Sequence, residues 1–338
     1  MTKLPKVQPS ALKYGLSFQS AMAVYAVLPL CSLIILYDHT LGGRVFYHAL
    51  PENPSSLALY NLLFGLPHII AGHIVIFSKG HLESFKHDAL LGSFYVILSI
   101  VIAGVLFPMY ISLTLFIVIT LIHVLKQQFG MVKIFSSVRG RLVDLWAWNA
   151  IMVAGILASI FSLRSDLDPE YIKWGYYIVI LLNISFVILG GVIYRNVKTR
   201  KGKYFLLVNI LSIPLTTVFY FLGYTFFAIL TVRVIHDVTA YMVYLTHDKN
   251  KNWYKKNDYY ASLLSFFHIV VLSIAIAFLL EKYLINFTDL IVSKFFPYSV
   301  IGAITISIIA YIEIMHYYME SKAWKRHSPC RKHVIFAS

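Results

Sequence analysis

The chain carries 13 histidines in 338 residues, of which 59% are hydrophobic, and where they fall is the first chemical signal. His68 and His73 lie in one apolar run, His123 in a second, His236 in a third and His316 in a fourth, with His268 alone in a fifth. Neutral imidazole offers a lone pair and is the commonest nitrogen ligand for zinc, iron and copper. Acids accompany two of these residues. Asp237 follows His236, and Glu313 and Glu320 stand at i−3 and i+4 from His316, on one helical face. Gln127 lies at i+4 from His123, and Arg233 lies one turn before both His236 and Asp237. These spacings nominate His68, His73, His123, His236, Glu313 and His316 as metal ligands. Gln127, Arg233, Asp237 and Glu320 are then the groups that orient them or balance their charge. A proton or substrate relay without metal, and polar packing between helices, are the other roles open to the same residues. For the solitary His268 an interhelical hydrogen bond is expected. His81, His87 and the pair His247-Asp248 fall at the ends of apolar runs and are expected to be solvated. The two cysteines, Cys31 and Cys330, are too far apart in sequence to suggest a disulfide framework or a cysteine-based metal site.

The elements that must position these residues are membrane spans. Only 13% of the chain is charged, against roughly 25% in soluble domains. A span takes about 20 mostly apolar residues to cross a hydrocarbon core of roughly 30 Å. Ten segments qualify, approximately 16–37, 57–78, 88–107, 109–132, 144–163, 172–194, 204–222, 224–246, 259–280 and 298–320. Pro108 and Gly223 sit at tight junctions that suit short helical hairpins. Cations mark the sides. One set of alternate loops holds only Arg44, Arg164, Lys173, Lys282 and Lys294. The other loops and both terminal segments hold the remaining lysines and arginines, Arg233 apart. That asymmetry places both termini in the cytoplasm. The segment MTKLPKVQPSALK leads into the first run without an A-x-A-like cleavage signal, so a retained first span is expected. The expected fold is therefore all-α: a polytopic transmembrane bundle of about ten spans, N-in and C-in, one domain over 1–338, in a bacterial inner membrane. The net charge of +14 follows from membrane orientation, and no nucleic-acid partner is expected.

The even-numbered spans all run inward, so depths compare directly. At 1.5 Å per residue, His68, His73, His123, His236 and His316 lie roughly 17, 24, 21, 18 and 27 Å below the outer edges of their spans. Ionisable groups at such depth face a bundle interior or a wet cavity, and bundles gather metal ligands from facing helices. Gly65 and Gly72 flank His68 at i−3 and i+4, which predicts close approach of another helix. Pro67 frees a backbone carbonyl one turn earlier. His68 and His73 point about 140° apart around a helix. Either they face two metals, or one is a ligand and the other supports it.

The stretch Gly65-Leu66-Pro67-His68-Ile69-Ile70-Ala71-Gly72-His73 resembles the G-x-P-H-G-A-x-D-H-like motif of the bacterial Brp/Blh family of membrane β-carotene cleavage dioxygenases. Gly65, Pro67, His68 and His73 match its spacing, and Gly72 stands where the family has an acid. The resemblance covers about nine residues. It implies a multi-span protein with an intramembrane iron held by histidines, His68 among them. The chain is more loosely similar, in architecture, to membrane fatty-acid desaturases and hydroxylases, whose H-x-x-x-H and H-x-x-H-H boxes it lacks.

The function expected from these readings is a metal-dependent oxidoreductase. Histidine-ligated non-haem iron, at one or two sites, would act as an oxygenase on a lipid or isoprenoid reached from the bilayer through an apolar cavity. Its partners would be membrane lipids, a hydrophobic small-molecule substrate and an electron donor. A metal-ion or proton transporter using the same His/Asp/Glu layer, and a haem protein with two axial histidines, are the alternatives.

Overall fold

The computed structural model describes residues 14–78, 81–252, 258–292, 298–325 and 327–337. Lys3, Lys6, Lys13, Lys79, Lys255, Lys256, Lys294 and Arg326, part of the expected charge asymmetry, lie outside them.

Helices follow the apolar runs. In chain order they are α1 (Phe18–Val24), α2 (Val27–Thr40), the short α3 (Val45–Ala49), α4 (Ala58–Leu63), α5 (Leu66–Ile76), α6 (Leu82–Leu106), α7 (Met109–Phe135), α8 (Arg141–Leu163), α9 (Pro169–Asn196), α10 (Arg200–Phe221), α11 (Thr225–Asn252), α12 (Asp258–Phe266), α13 (Leu272–Val292) and α14 (Tyr298–Ala323). The structure is 84% helical, as an all-α polytopic bundle requires. Among the described residues, 9 helical segments are long and apolar enough to cross a membrane. The 26-residue α14 occupies the position expected for the tenth.

Local chemistry sets the boundaries. Asp168 caps α9 by accepting from the Glu170 N–H at 2.8 Å, with Pro169 in the first turn. Thr199 caps α10 through the Gly202 N–H at 3.1 Å. Pro108 precedes α7. The α10–α11 junction closes on Gly223, at φ 84°, with the Tyr224 N–H donating back to the Phe219 carbonyl at 2.9 Å, a 6→1 C-terminal cap.

Two spans are less regular than the sequence predicts. The second is divided at Gly65, whose φ of 72° ends α4 and starts α5. Pro67 then lies in the first turn of α5, where a missing N–H has no consequence, so it starts a helix here and does not kink one. The ninth carries a π-turn over Phe267–Val271, between α12 and α13.

The described residues form two compact units. The first comprises 14–17, 58–102 and 239–337. Here α5 packs on α13 and α14, around Ala71, Val75, Ala240, Tyr244 and Ile269. A neighbouring cluster joins Ile76, Phe85, Val96, Met315 and Met319. β1 (Gly15–Ser17) pairs in parallel with β2 (Ile335–Ala337). Asn250 reinforces that pairing. Its side chain donates to the carbonyls of Tyr14 and His333 at 2.7 and 2.8 Å and accepts from the Tyr14 N–H at 3.0 Å. Segments 14–17 and 335–337 therefore lie side by side.

The second unit comprises Phe18–Leu57 and Ala103–Val238, built on α7, α8, α9 and α10. Trp146 is fully buried, stacked on Phe186 at 4.9 Å and edge-on to Phe129 at 4.6 Å. Several of its buried polar groups bond one another: Asn209 Oδ1 accepts from Tyr25 at 2.8 Å and from Gln128 at 2.9 Å. Hydrocarbon offers no alternative partner, so such groups must satisfy one another. Leu90, Phe94, Ile97, Val101 and Val105 along α6 are exposed, a face suited to lipid.

Candidate metal centre

α5 and α14 bring three histidines together in the first unit. His68 and His316 are fully buried, and their rings meet edge-on at 5.4 Å. His73, half-buried on the same helix as His68, meets His316 at 5.7 Å. A small residue makes this packing possible. A Cβ on Gly72 would lie 2.5 Å from His316 Cε1 and 2.9 Å from the Tyr244 hydroxyl. The close approach predicted for both glycines thus occurs at Gly72, whereas Gly65 supplies the break.

Hydrogen bonds set the roles of individual atoms. His73 Nε2 lies 3.3 Å from the Ile312 carbonyl. A carbonyl only accepts, so the proton sits on Nε2 and the Nδ1 lone pair is directed elsewhere. Glu320 Oε1 accepts from the Trp324 indole at 2.9 Å and from the Tyr244 hydroxyl, while Oε2 lies 3.6 Å from His316 Nε2. Two donors hold this buried carboxylate against the imidazole. Glu313, the other acid expected on that face, instead accepts from Tyr317 at 3.1 Å. Tyr244 was invisible as a site residue in the sequence, because one tyrosine among 24 carries no signal.

The second unit holds the other set. His123 on α7 and His236 on α11 meet edge-on at 5.2 Å. His236 Nε2 lies 3.8 Å from Asp237 Oδ1, and Arg233 Nη2 lies 3.7 Å from Asp237 Oδ2. Both separations exceed a hydrogen bond of about 3.2 Å, so these are electrostatic pairings within one helix. Of the roles open to Arg233, neutralising Asp237 is the one this geometry serves. Gln127 buries its Oε1 with no hydrogen-bond partner among the described residues. Each unit therefore buries a histidine near a carboxylate, His316 with Glu320 and His236 with Asp237, the residue types that hold metal ions.

His268, on the π-turn, pairs with Asp248 of α11 at 3.0 Å, the interhelical contact expected of it. His87 is exposed. His81 and His247, expected in solvent, are instead 4% and 1% exposed. They lie Nε2 to Nε2 at 3.2 Å, beside a fully buried Cys330. The cysteine count gave no hint of this, because its partners are histidines remote in sequence. The Cys330-x-x-His333 spacing was the available signal. Burial, with Lys251 nearby, lowers the His81 pKa to about 4, and burial raises the Cys330 thiol to about 12.

Comparison of this chain with protein-family models, with curated proteins and with solved structures gives no match.

Proposed function

We propose that this integral-membrane protein is a metal-dependent oxidoreductase, a histidine-ligated non-haem iron oxygenase acting on a lipid or isoprenoid. The observation that carries the reading is the meeting of His68, His73 and His316 in the buried core of membrane-spanning helices, with Glu320 held against His316. Three neutral imidazoles suit iron, and the metal would supply oxygen activation at positions the protein leaves open. His68 and His316 would be direct ligands. His73 would bind through Nδ1 or orient its neighbours, its Nε2 being anchored on Ile312. Glu320 would fix the His316 ring and balance the metal's charge. The site lies within spans, so its substrate would enter from the bilayer, and membrane lipids and an electron donor would be its partners. The short resemblance to the β-carotene cleavage dioxygenases supports His68 as an iron ligand.

The test is metal analysis and an optical spectrum of the purified chain, with oxygen uptake measured against a panel of carotenoids and polyisoprenoids. Bound iron without a Soret band, lost in His68→Ala and His316→Ala but kept in His268→Ala, is the expected result. A Soret band means a haem protein, and equal iron in all three variants rejects the assignment.

The break at Gly65 favours a second reading, a metal-ion or proton transporter, because broken helices near the midplane are a transporter feature. Ion flux through proteoliposomes with no oxygen uptake decides for it. We place both termini in the cytoplasm of a bacterial inner membrane. Reporter fusions at Ser10 and Ser338 should both signal cytoplasm, and an exterior signal from either breaks the scheme.

A further inference from the structure

We propose that His81, His247, Cys330 and His333 form a second metal site, a closed zinc centre that locks the C-terminal tail to the end of α11 and to the turn before α6. All four residues belong to the first unit. Ligand atoms of His81, His247 and Cys330 lie within 4.8 Å of one another. His333 completes the set, its ring 5.7 Å from that of His81 and 5.2 Å from that of His247. Cys330 and His333 bracket a 3-10 turn over Arg331–His333, with the His333 N–H donating to the Cys330 carbonyl at 3.1 Å. Side chains three apart in such a turn eclipse, so both face the same way.

Distances fit the ion. Zinc binds nitrogen at about 2.0–2.1 Å and sulfur at about 2.3 Å, which sets tetrahedral edges of about 3.3–3.8 Å. The ligand atoms of His81, His247 and Cys330, all within 4.8 Å of one another, stand close to that spacing. Closing the widest such separation to a nitrogen–sulfur edge of about 3.6 Å takes a movement of about 1.2 Å. Polar packing serves one side of two rings, where His81 Nε2 and His247 Nε2 share a 3.2 Å hydrogen bond, and leaves the other side unserved. The Nδ1 atoms of His81, His247 and His333 are all buried with no hydrogen-bond partner among the described residues, whereas buried polar atoms are ordinarily paired. Lys251, bonded to Ser78 at 2.5 Å, is the nearby cation. On binding, Cys330 releases its proton to solvent and the zinc thiolate forms. Three histidines and one cysteine fill four positions, which marks a structural rather than a catalytic zinc. What such a site fastens is the tail that carries β2 and the Asn250 contact.

The experiment uses the full chain in detergent, stripped with a chelator and titrated with cobalt, then zinc. Cobalt should produce a near-ultraviolet thiolate charge-transfer band in the wild type and in Cys31→Ser, and none in Cys330→Ser. His247→Ala and His333→Ala should weaken binding at the cobalt–thiolate site at least tenfold, while Cys31→Ser leaves it unchanged. Zinc should also slow tryptic cleavage at Arg331 and Lys332. A wild-type chain without the cobalt–thiolate band, or a band that survives Cys330→Ser, overturns the proposal. The wild-type spectrum decides even if a variant fails to fold, and none of these readouts depends on iron or on oxygenase activity.

Discussion

Two histidine clusters in one unit of this protein are built on different principles. His68, His73 and His316 sit within membrane spans, and their surroundings are arranged for them. Gly72 opens the space, Ile312 fixes one ring, and Glu320 stands against another, itself held by Tyr244 and Trp324. His81, His247 and His333 sit at the ends of spans beside Cys330, and their Nδ1 atoms find no partners among the described residues. A centre that must remain open to a substrate needs supporting residues to hold its ligands in place. A closed centre can be organised by the metal itself, because four ligands fill its coordination. The first cluster therefore reads as preorganised, the second as assembled by its ion.

The sharpest test of that contrast is reciprocal metal loss. His316→Ala should remove at least nine-tenths of the iron and leave zinc at one per chain, and Cys330→Ser should do the reverse. Metal analysis of both variants for both ions checks this, and loss of both metals from either variant would merge the two sites into one. Next in size is Gly72→Ala. The new methyl would lie 2.5 Å from His316 Cε1, and overpacking of this kind costs about 1–3 kcal/mol. A lower Tm with iron reduced and zinc intact is expected, and an unchanged Tm would mean that α5 and α14 are not closely packed. The smallest effect belongs to Tyr244→Phe. It removes one donor from the buried Glu320 carboxylate, and hydrogen bonds to charged groups are worth about 1.5–3 kcal/mol. Because Trp324 still donates to the same oxygen, the loss should fall at the low end and weaken iron retention by about tenfold at most. Complete loss of iron would make Tyr244 a direct participant.

The sequence determined the membrane architecture and the types of residue at its centre. Apolar run length is a one-dimensional property, and each span's helix satisfies its own backbone, so the runs were readable without knowing their neighbours. The burial of His68 and His316 fits their place inside apolar runs. Helix boundaries were legible where a cap was local, as at Asp168 and Gly223. The break at Gly65 was not, because the glycine and proline there are equally consistent with a continuous kinked helix. Which histidines meet was also beyond the sequence, because rotation of one helix against another depends on side-chain packing across hundreds of residues. Glu320 faces His316 while Glu313 turns to Tyr317, although both stand at helical spacing from it. The tertiary structure alone decided that His81, His247, His333 and Cys330 converge. They come from a turn, a helix end and a tail, and the Lys251 and Asn250 side chains of α11 tie that helix end to the other two.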